Sequence, residues 1–161
     1  MPSADTLPAL DRYDRHIIDV LQRNGRISNQ ELAERIGLSP SPCLRRVRAL
    51  EESGLIVGYR ALVDSKRLGY SLMALLHISM DRHTPERFAN FEEQVAALPQ
   101  VLECLLITGQ EADYQLKVVV RDMEDYQDLL LNRITRIEGV SGAHSSFVLR
   151  RVIDNPAVPV V

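Results

Sequence analysis

The chain has 161 residues, 45% of them hydrophobic and 25% charged, which suits one medium-sized globular domain or two small ones. A formal net charge of −3 excludes a chain that is basic throughout, and no run of about 18 apolar residues could span a membrane. Two distant cysteines, Cys43 and Cys104, are too few for a disulfide framework and read as free thiols of a cytoplasmic protein.

Residues 1–9, a Pro/Ser/Ala lead, are expected to be flexible and are not expected to act as a signal peptide, because they have neither a basic segment nor a long apolar core. Leu10, Tyr13, Ile17 and Leu21 recur at helical spacing, which predicts a first helix over 11–23, with Asp11 as its cap and Gly25 as its stop. Ser28 and Glu31 form a capping box that opens a two-turn helix, with Leu32, Ala33 and Ile36 on its inner face and Gly37 at its end. The turn Gly37-Leu38-Ser39-Pro40 leads to a third helix over 40–52. Residues 53–64 then read as a turn and one or two short strands, completing a winged helix-turn-helix over 10–60.

The third helix carries the most chemistry. Proline lacks the N–H that a helix start cannot satisfy anyway, so Pro40 and Pro42 make a stiff helix mouth. Ser39 is the preferred cap and Ser41 the alternative, since a residue before proline resists the α region. Winding the helix at about 100° per residue places Leu44, Val47 and Leu50 on an inner arc. Ser41, Pro42, Arg45 and Arg48 fall on the opposite arc, with Arg46 at its edge. Short residues followed by guanidinium forks suit contact with DNA bases and phosphates. From Arg35 to Arg48 there are four arginines and no acid, and residues 1–66 hold ten Lys/Arg against nine Asp/Glu. A solvated arginine face on an ordinary helix is the competing reading, and this helix alone leaves the two even. The capped short helix, the tight turn and the expected wing favour DNA.

Residues 61–70 read as a linker, and residues 71–153 then follow the order β-α-β-β-α-β, the ferredoxin-like plan, so the fold class is α+β. The predicted strands cover 71–81, 101–109, 113–122 and 140–152. The predicted helices begin at Thr84, with Phe88, Phe91 or Val95, and Leu98 facing inward, and at Met123. The strands are apolar on both faces: Leu72, Ala74, Leu76, Ile78 and Met80 on one side, Met73 and Leu75 on the other. Leu102, Cys104 and Leu106 likewise oppose Val101, Leu105 and Ile107. A sheet apolar on both faces is buried on both, so the second face is expected to pack on another copy of the chain. Residues 154–161, with two prolines, read as an extended tail.

Catalytic patterns are absent from the sequence. His16, His77, His83 and His144 lack metal-ligand spacing, and there is no Walker loop, no Gly-x-Gly-x-x-Gly and no Gly-x-Ser-x-Gly. No cofactor or metal is expected, and both cysteines read as small apolar residues.

The stretches "LDRYDRHIIDVLQRNGRIS", "LSPSPCLRRVRALE" and "GLIVGYRALVD", followed by "TGQEADYQLKVVVRDMEDY", resemble the Lrp/AsnC family of leucine-responsive, or feast/famine, regulators over about residues 10–153. The resemblance implies a sequence-specific transcriptional regulator that binds double-stranded DNA and is not an enzyme. It implies homodimers, in some members octamers built as tetramers of dimers, with an amino acid such as leucine bound between subunits. Carried over position by position, the helix-turn-helix maps to residues 29–48, and on the helix face wound above DNA contact is expected at Ser39, Ser41, Pro42, Arg45, Arg46 and Arg48. Effector response falls on Leu106, Gly109, Asp113, Ser146, Phe147 and Val148. Gly109 would admit a ligand carboxylate and Asp113 would receive its α-ammonium; a turn glycine and a turn-capping aspartate are the alternatives. The loop from Gly109 to Asp113 is one residue longer than the family pattern, and Ser145 and Ser146 are smaller than their counterparts in some relatives. Two other classes stay open. One is an architectural protein that wraps DNA with little sequence choice. The other is a tetrapyrrole decarboxylase of the same fold.

Overall fold

The computed structural model describes residues 9–109 and 112–160. The chain divides into two compact units, Met1–Leu62 with Ile153–Val161, and Val63–Val152.

The first unit is built on three helices, α1 (Arg12–Arg23), α2 (Asn29–Ile36) and α3 (Pro40–Glu52). Asp11 caps α1 by accepting the N–H groups of Tyr13 and Asp14 at 2.8 and 3.0 Å, while the Asp14 carboxylate accepts the Asp11 N–H at 3.2 Å. The helix ends at Asn24, one residue before the expected stop. Gly25 lies close to the Tyr59 ring: a Cβ there would be 3.2 Å from it, a tight contact. The Ser28–Glu31 box closes as expected, with the Glu31 N–H donating to Ser28 Oγ at 3.2 Å and the Ser28 N–H to Glu31 Oε2 at 3.1 Å. Gly37 ends α2 at φ +73°, a left-handed conformation that favours glycine. Ile17, Leu32, Ala33, Cys43 and Leu50 form the centre of the core. In the tail, Gln22 holds Val158 by both backbone groups, its amide donating to the carbonyl at 2.9 Å and accepting from the N–H at 2.7 Å.

Two expectations for this unit are corrected. The inner residues of α3 are Cys43, Val47 and Leu50; Leu44 is 39% exposed while Cys43 is fully buried. Val47 and Leu50 stay inward and Cys43 replaces Leu44, so the centre of the buried arc turns by about 30° towards Arg46. The small cysteine lets α3 lie close against its neighbours, and the larger leucine is left outside. The expected wing strands do not form: residues 57–64 carry no regular structure, because an extended segment needs a ladder partner and none lies beside it among the described residues.

The second unit is a four-stranded antiparallel sheet with two helices. After a 3-10 turn at Lys66–Leu68 come β1 (Leu72–Met80), α4 (Pro85–Ala96), β2 (Val101–Leu106), β3 (Tyr114–Val120), α5 (Met123–Asp128) and β4 (Val140–Phe147). The strand order is β2-β3-β1-β4, so each helix links two parallel strands across an intervening antiparallel one, the split βαβ plan. Thr84 caps α4, with Pro85 in its first turn. Both candidates for the inner position of α4, Phe91 and Val95, are buried, at 0% and 1% exposed. They pack with Leu76, Ile78, Tyr114, Leu116 and Val118.

The second predicted helix is shorter than its sequence suggested. From Leu129 to Arg133 it widens to a π turn, then tightens to a 3-10 turn over Ile134–Arg136. Residues five apart diverge on an α-helix but nearly align on a π turn, so Leu129 and Ile134 are both buried. A register shift between Val101 and Glu103 corrects the β2 alternation. Val101 packs on the core, on the same side as Cys104 and Leu106, which stand opposite Leu116 and Tyr114. The last strand ends at Phe147, although the Val148 N–H still donates to the Met73 carbonyl at 2.9 Å.

Candidate functional site

The start of α3 is fixed by backbone and proline geometry rather than by a capping side chain. Ser39 sits at the N-cap with φ −76° and ψ 155° and Pro40 follows, but the Ser39 hydroxyl makes no capping bond. Asn29, at the start of α2, donates its side-chain amide to the Pro40 carbonyl at 2.8 Å and so ties the two helices together at the turn. Sequence patterning gave no sign of this bond.

The six residues assigned to DNA contact separate into distinct settings. Ser39, Ser41, Arg45 and Arg48 are exposed and Pro42 is half-buried. Ser41, Arg45 and Arg48 line a shallow groove of about 340 Å³ together with Leu44, Ala49 and Glu52. No salt bridge among the described residues engages Arg45 or Arg48, so both guanidinium groups are available to an external anion.

Arg46 faces the opposite way. Its guanidinium is 2.8 Å from Asp11 Oδ2 and 2.8 Å from Asp14 Oδ1, and it lies 5.4 Å from the centre of the Tyr13 ring. The turned arc explains this: with Cys43, Val47 and Leu50 inward, Arg46 flanks the buried stripe on the α1 side. Expected at the edge of the outer arc, Arg46 instead joins α3 to the capped start of α1. The bond to Asp14 holds its pKa above the ordinary arginine value. The Asp11 carboxyl is held below the usual carboxylate range by the Asp14 N–H, then by the Tyr13 N–H and Arg46. The signal was present in the sequence as two acids around a helix cap, but which helix they would face depends on packing.

In the second unit, the six residues assigned to the effector do not converge within one chain. Asp113 Oδ2 accepts the Met80 N–H at 2.7 Å and Asp113 Oδ1 lies 2.8 Å from His83 Nε2. Its backbone extends the ladder, donating to the Ile78 carbonyl and accepting from the Ile107 N–H, each at 2.8 Å. The carboxylate thus already has two partners, one of them a histidine that is 67% exposed. Gly109 is an exposed bend where a Cβ would meet nothing within 4 Å. Gln110 and Glu111, within the lengthened loop, lie outside the described residues.

Leu106 borders a cavity of about 370 Å³ between α4 and the β2 edge, lined also by Glu92, Val95, Cys104 and Tyr114. At its floor the buried Tyr114 hydroxyl donates to Glu92 at 2.7 Å, and burial, then Glu92, pushes that phenol well above its ordinary pKa. Desolvation, then Glu92, raises the Cys104 thiol above its ordinary value. Phe147 packs edge-on against Tyr126 on the helix-covered side, with ring centres 4.8 Å apart. Ser146 stands opposite Leu75 on the open sheet face, and Val148 follows on the same side.

That open face is less uniformly apolar than its strands suggested. Met73 and Leu75 make one end apolar, beside the buried Val119, whereas Leu105, 43% exposed, stands opposite Gln115. The other end is polar, with His77 paired to Gln115 on one side and to His144 on the other.

Residues 10–57 match a family model described as winged helix-turn-helix DNA-binding, and residues 73–158 match one described as the Lrp/AsnC ligand binding domain. The chain is 43% identical over 150 residues to the Bkd operon transcriptional regulator of Pseudomonas aeruginosa, covering 93% of this chain and 97% of that one. It is 44% identical over 143 residues to the leucine-responsive regulatory protein of Escherichia coli K12, covering 89% and 87%. Among solved structures it is similar to a Neisseria meningitidis transcriptional regulator crystallised with L-methionine, with a TM-score of 0.89 and 38% identity over 93% of this chain and 96% of that one. An AsnC family regulator from Agrobacterium tumefaciens aligns with a TM-score of 0.87 and 31% identity, covering 93% and 97%.

Proposed function

The chain belongs to the Lrp/AsnC family of transcriptional regulators, and on that premise we propose that α3 reads operator DNA under the control of an amino acid bound by the second unit. One observation carries the reading: the exposed Ser41, Arg45 and Arg48 share one groove on α3, while Arg46 on its other side is anchored to α1. Anchored behind and unengaged in front, the helix can lay guanidinium forks on base edges and phosphates.

The protein works as a cytoplasmic homodimer, or as a larger assembly of dimers, joined through the open sheet face. The apolar end of that face, with the half-buried Met73 and Leu75, supports this. So does the scatter of the effector positions: Leu106 and Phe147 lie at opposite edges of the helix-covered face and Ser146 on the open face, so a site using all of them needs a second copy. Asp113 is the acceptor for the ligand's α-ammonium, with His83 as the partner displaced. The L-methionine held by the Neisseria relative favours an apolar amino acid as the ligand.

DNA binding is tested with Arg45→Ala on duplexes enriched by the full-length protein from a random pool. If Arg45 reads a base, specific affinity falls by about 1–3 kcal/mol. If it holds phosphate, affinity falls on every sequence and the salt slope drops by about one. No loss on any DNA refutes the reading. A specific-to-random affinity ratio near one identifies the architectural alternative instead. A thermal-shift screen of the twenty amino acids tests the effector, because a ligand of the folded state raises its melting point. Asp113→Ala is expected to abolish the response while the dimer survives, and an unchanged calorimetric affinity refutes that role.

A further inference from the structure

We propose that Leu44 is a specificity-determining residue that reads the 5-methyl group of thymine in the major groove. This rests on the reading of α3 as the DNA-binding helix.

A lone exposed leucine is ordinary on a protein surface, so exposure by itself says nothing. Position is what matters here. The helix buries the small Cys43 completely and leaves the larger Leu44 39% exposed. Leu44 lies three residues after Ser41, directly before Arg45 and four before Arg48, and all four side chains line one groove. The groove's other lining residues are Ala49 and Glu52, so Leu44 is its one large apolar group. A base pair offers one apolar feature in the major groove, the thymine methyl, beside acceptors that suit arginine. A branched apolar side chain flanked by guanidinium groups therefore fits a site where thymine adjoins guanine or phosphate. Arg46 cannot take this part, because it is held by Asp11 and Asp14.

The experiment replaces each thymine of an enriched duplex, one at a time, by deoxyuridine, which removes only the methyl. Wild-type protein is expected to lose about fourfold in affinity at one thymine of each half-site, the worth of one buried methyl. Leu44→Ala should bind the thymine and uracil duplexes equally at that position, while Leu44→Met should keep most of the discrimination. Circular dichroism melts check that the variants fold, and the uracil scan of the wild type needs no variant. Wild-type indifference to uracil at every position overturns the proposal and leaves DNA binding intact. So does a Leu44→Ala protein as sensitive as the wild type, since another residue would then read the methyl. Failure to enrich any sequence refutes the DNA reading itself, and this inference with it.

Discussion

Replacing Arg46 by alanine should cost folding stability and leave the salt slope of DNA binding unchanged, the reverse of what a phosphate contact gives. Arg46 is 30% exposed and its partner Asp14 is 17%, so their 2.8 Å pair is screened less than a surface bridge. Exposed pairs contribute about 0.2–1 kcal/mol, which places this one near the upper end. The Tyr13 ring, 5.4 Å from the guanidinium carbon, adds about 0.5 kcal/mol. A loss of about 1–1.5 kcal/mol lowers the melting temperature of a unit this small by about 4–10 °C. A double-mutant cycle with Asp14→Asn isolates the pair and should return a coupling of about 1 kcal/mol, read from urea unfolding. DNA affinity should fall by a similar factor at every salt concentration, because the helix is less well posed but no phosphate contact is lost. An unchanged melting temperature together with a salt slope smaller by about one would refute the anchor and return Arg46 to the DNA surface.

Ser28→Ala removes the hydroxyl that accepts the Glu31 N–H and should destabilise the first unit by about 1 kcal/mol, seen as a lower urea midpoint. Phe91 is fully buried beneath the sheet, so Phe91→Ala should cost about 3–5 kcal/mol and unfold the second unit first, as followed by hydrogen exchange. The carboxyls of Asp11, Glu31 and Asp125 are all held below their ordinary values, so their contribution to stability is complete above about pH 4. It is lost as the pH falls through the depressed folded values, and the melting temperature should drop only there. Tyr59 works in the opposite sense: burial, then Glu51, pushes its phenol up to about 12. Its contribution is complete below about pH 10 and is lost as the pH rises towards the folded value, so Tyr59→Phe should flatten that alkaline drop.

The sequence by itself determined the order of the main helices and sheet strands, but not the wing, whose expected strands do not form. Helix caps, glycine stops and the two hydrophobic periods are local, so the Ser28–Glu31 box, the left-handed Gly37 and the β-α-β-β-α-β succession could be read from neighbouring residues. The family likeness was legible for the same reason, since its motifs are local strings. Tertiary structure decided which way each element faces. Periodicity fixes an arc only to within a residue, and packing turned α3 so that Cys43 went in, Leu44 came out and Arg46 met Asp11 and Asp14. Likewise a one-residue register shift put Val101 on the same side as Cys104 and Leu106, and a π turn brought Leu129 and Ile134 into one core. Each of these depends on the volume and charge a neighbouring element offers, and residues far apart in the chain supply both.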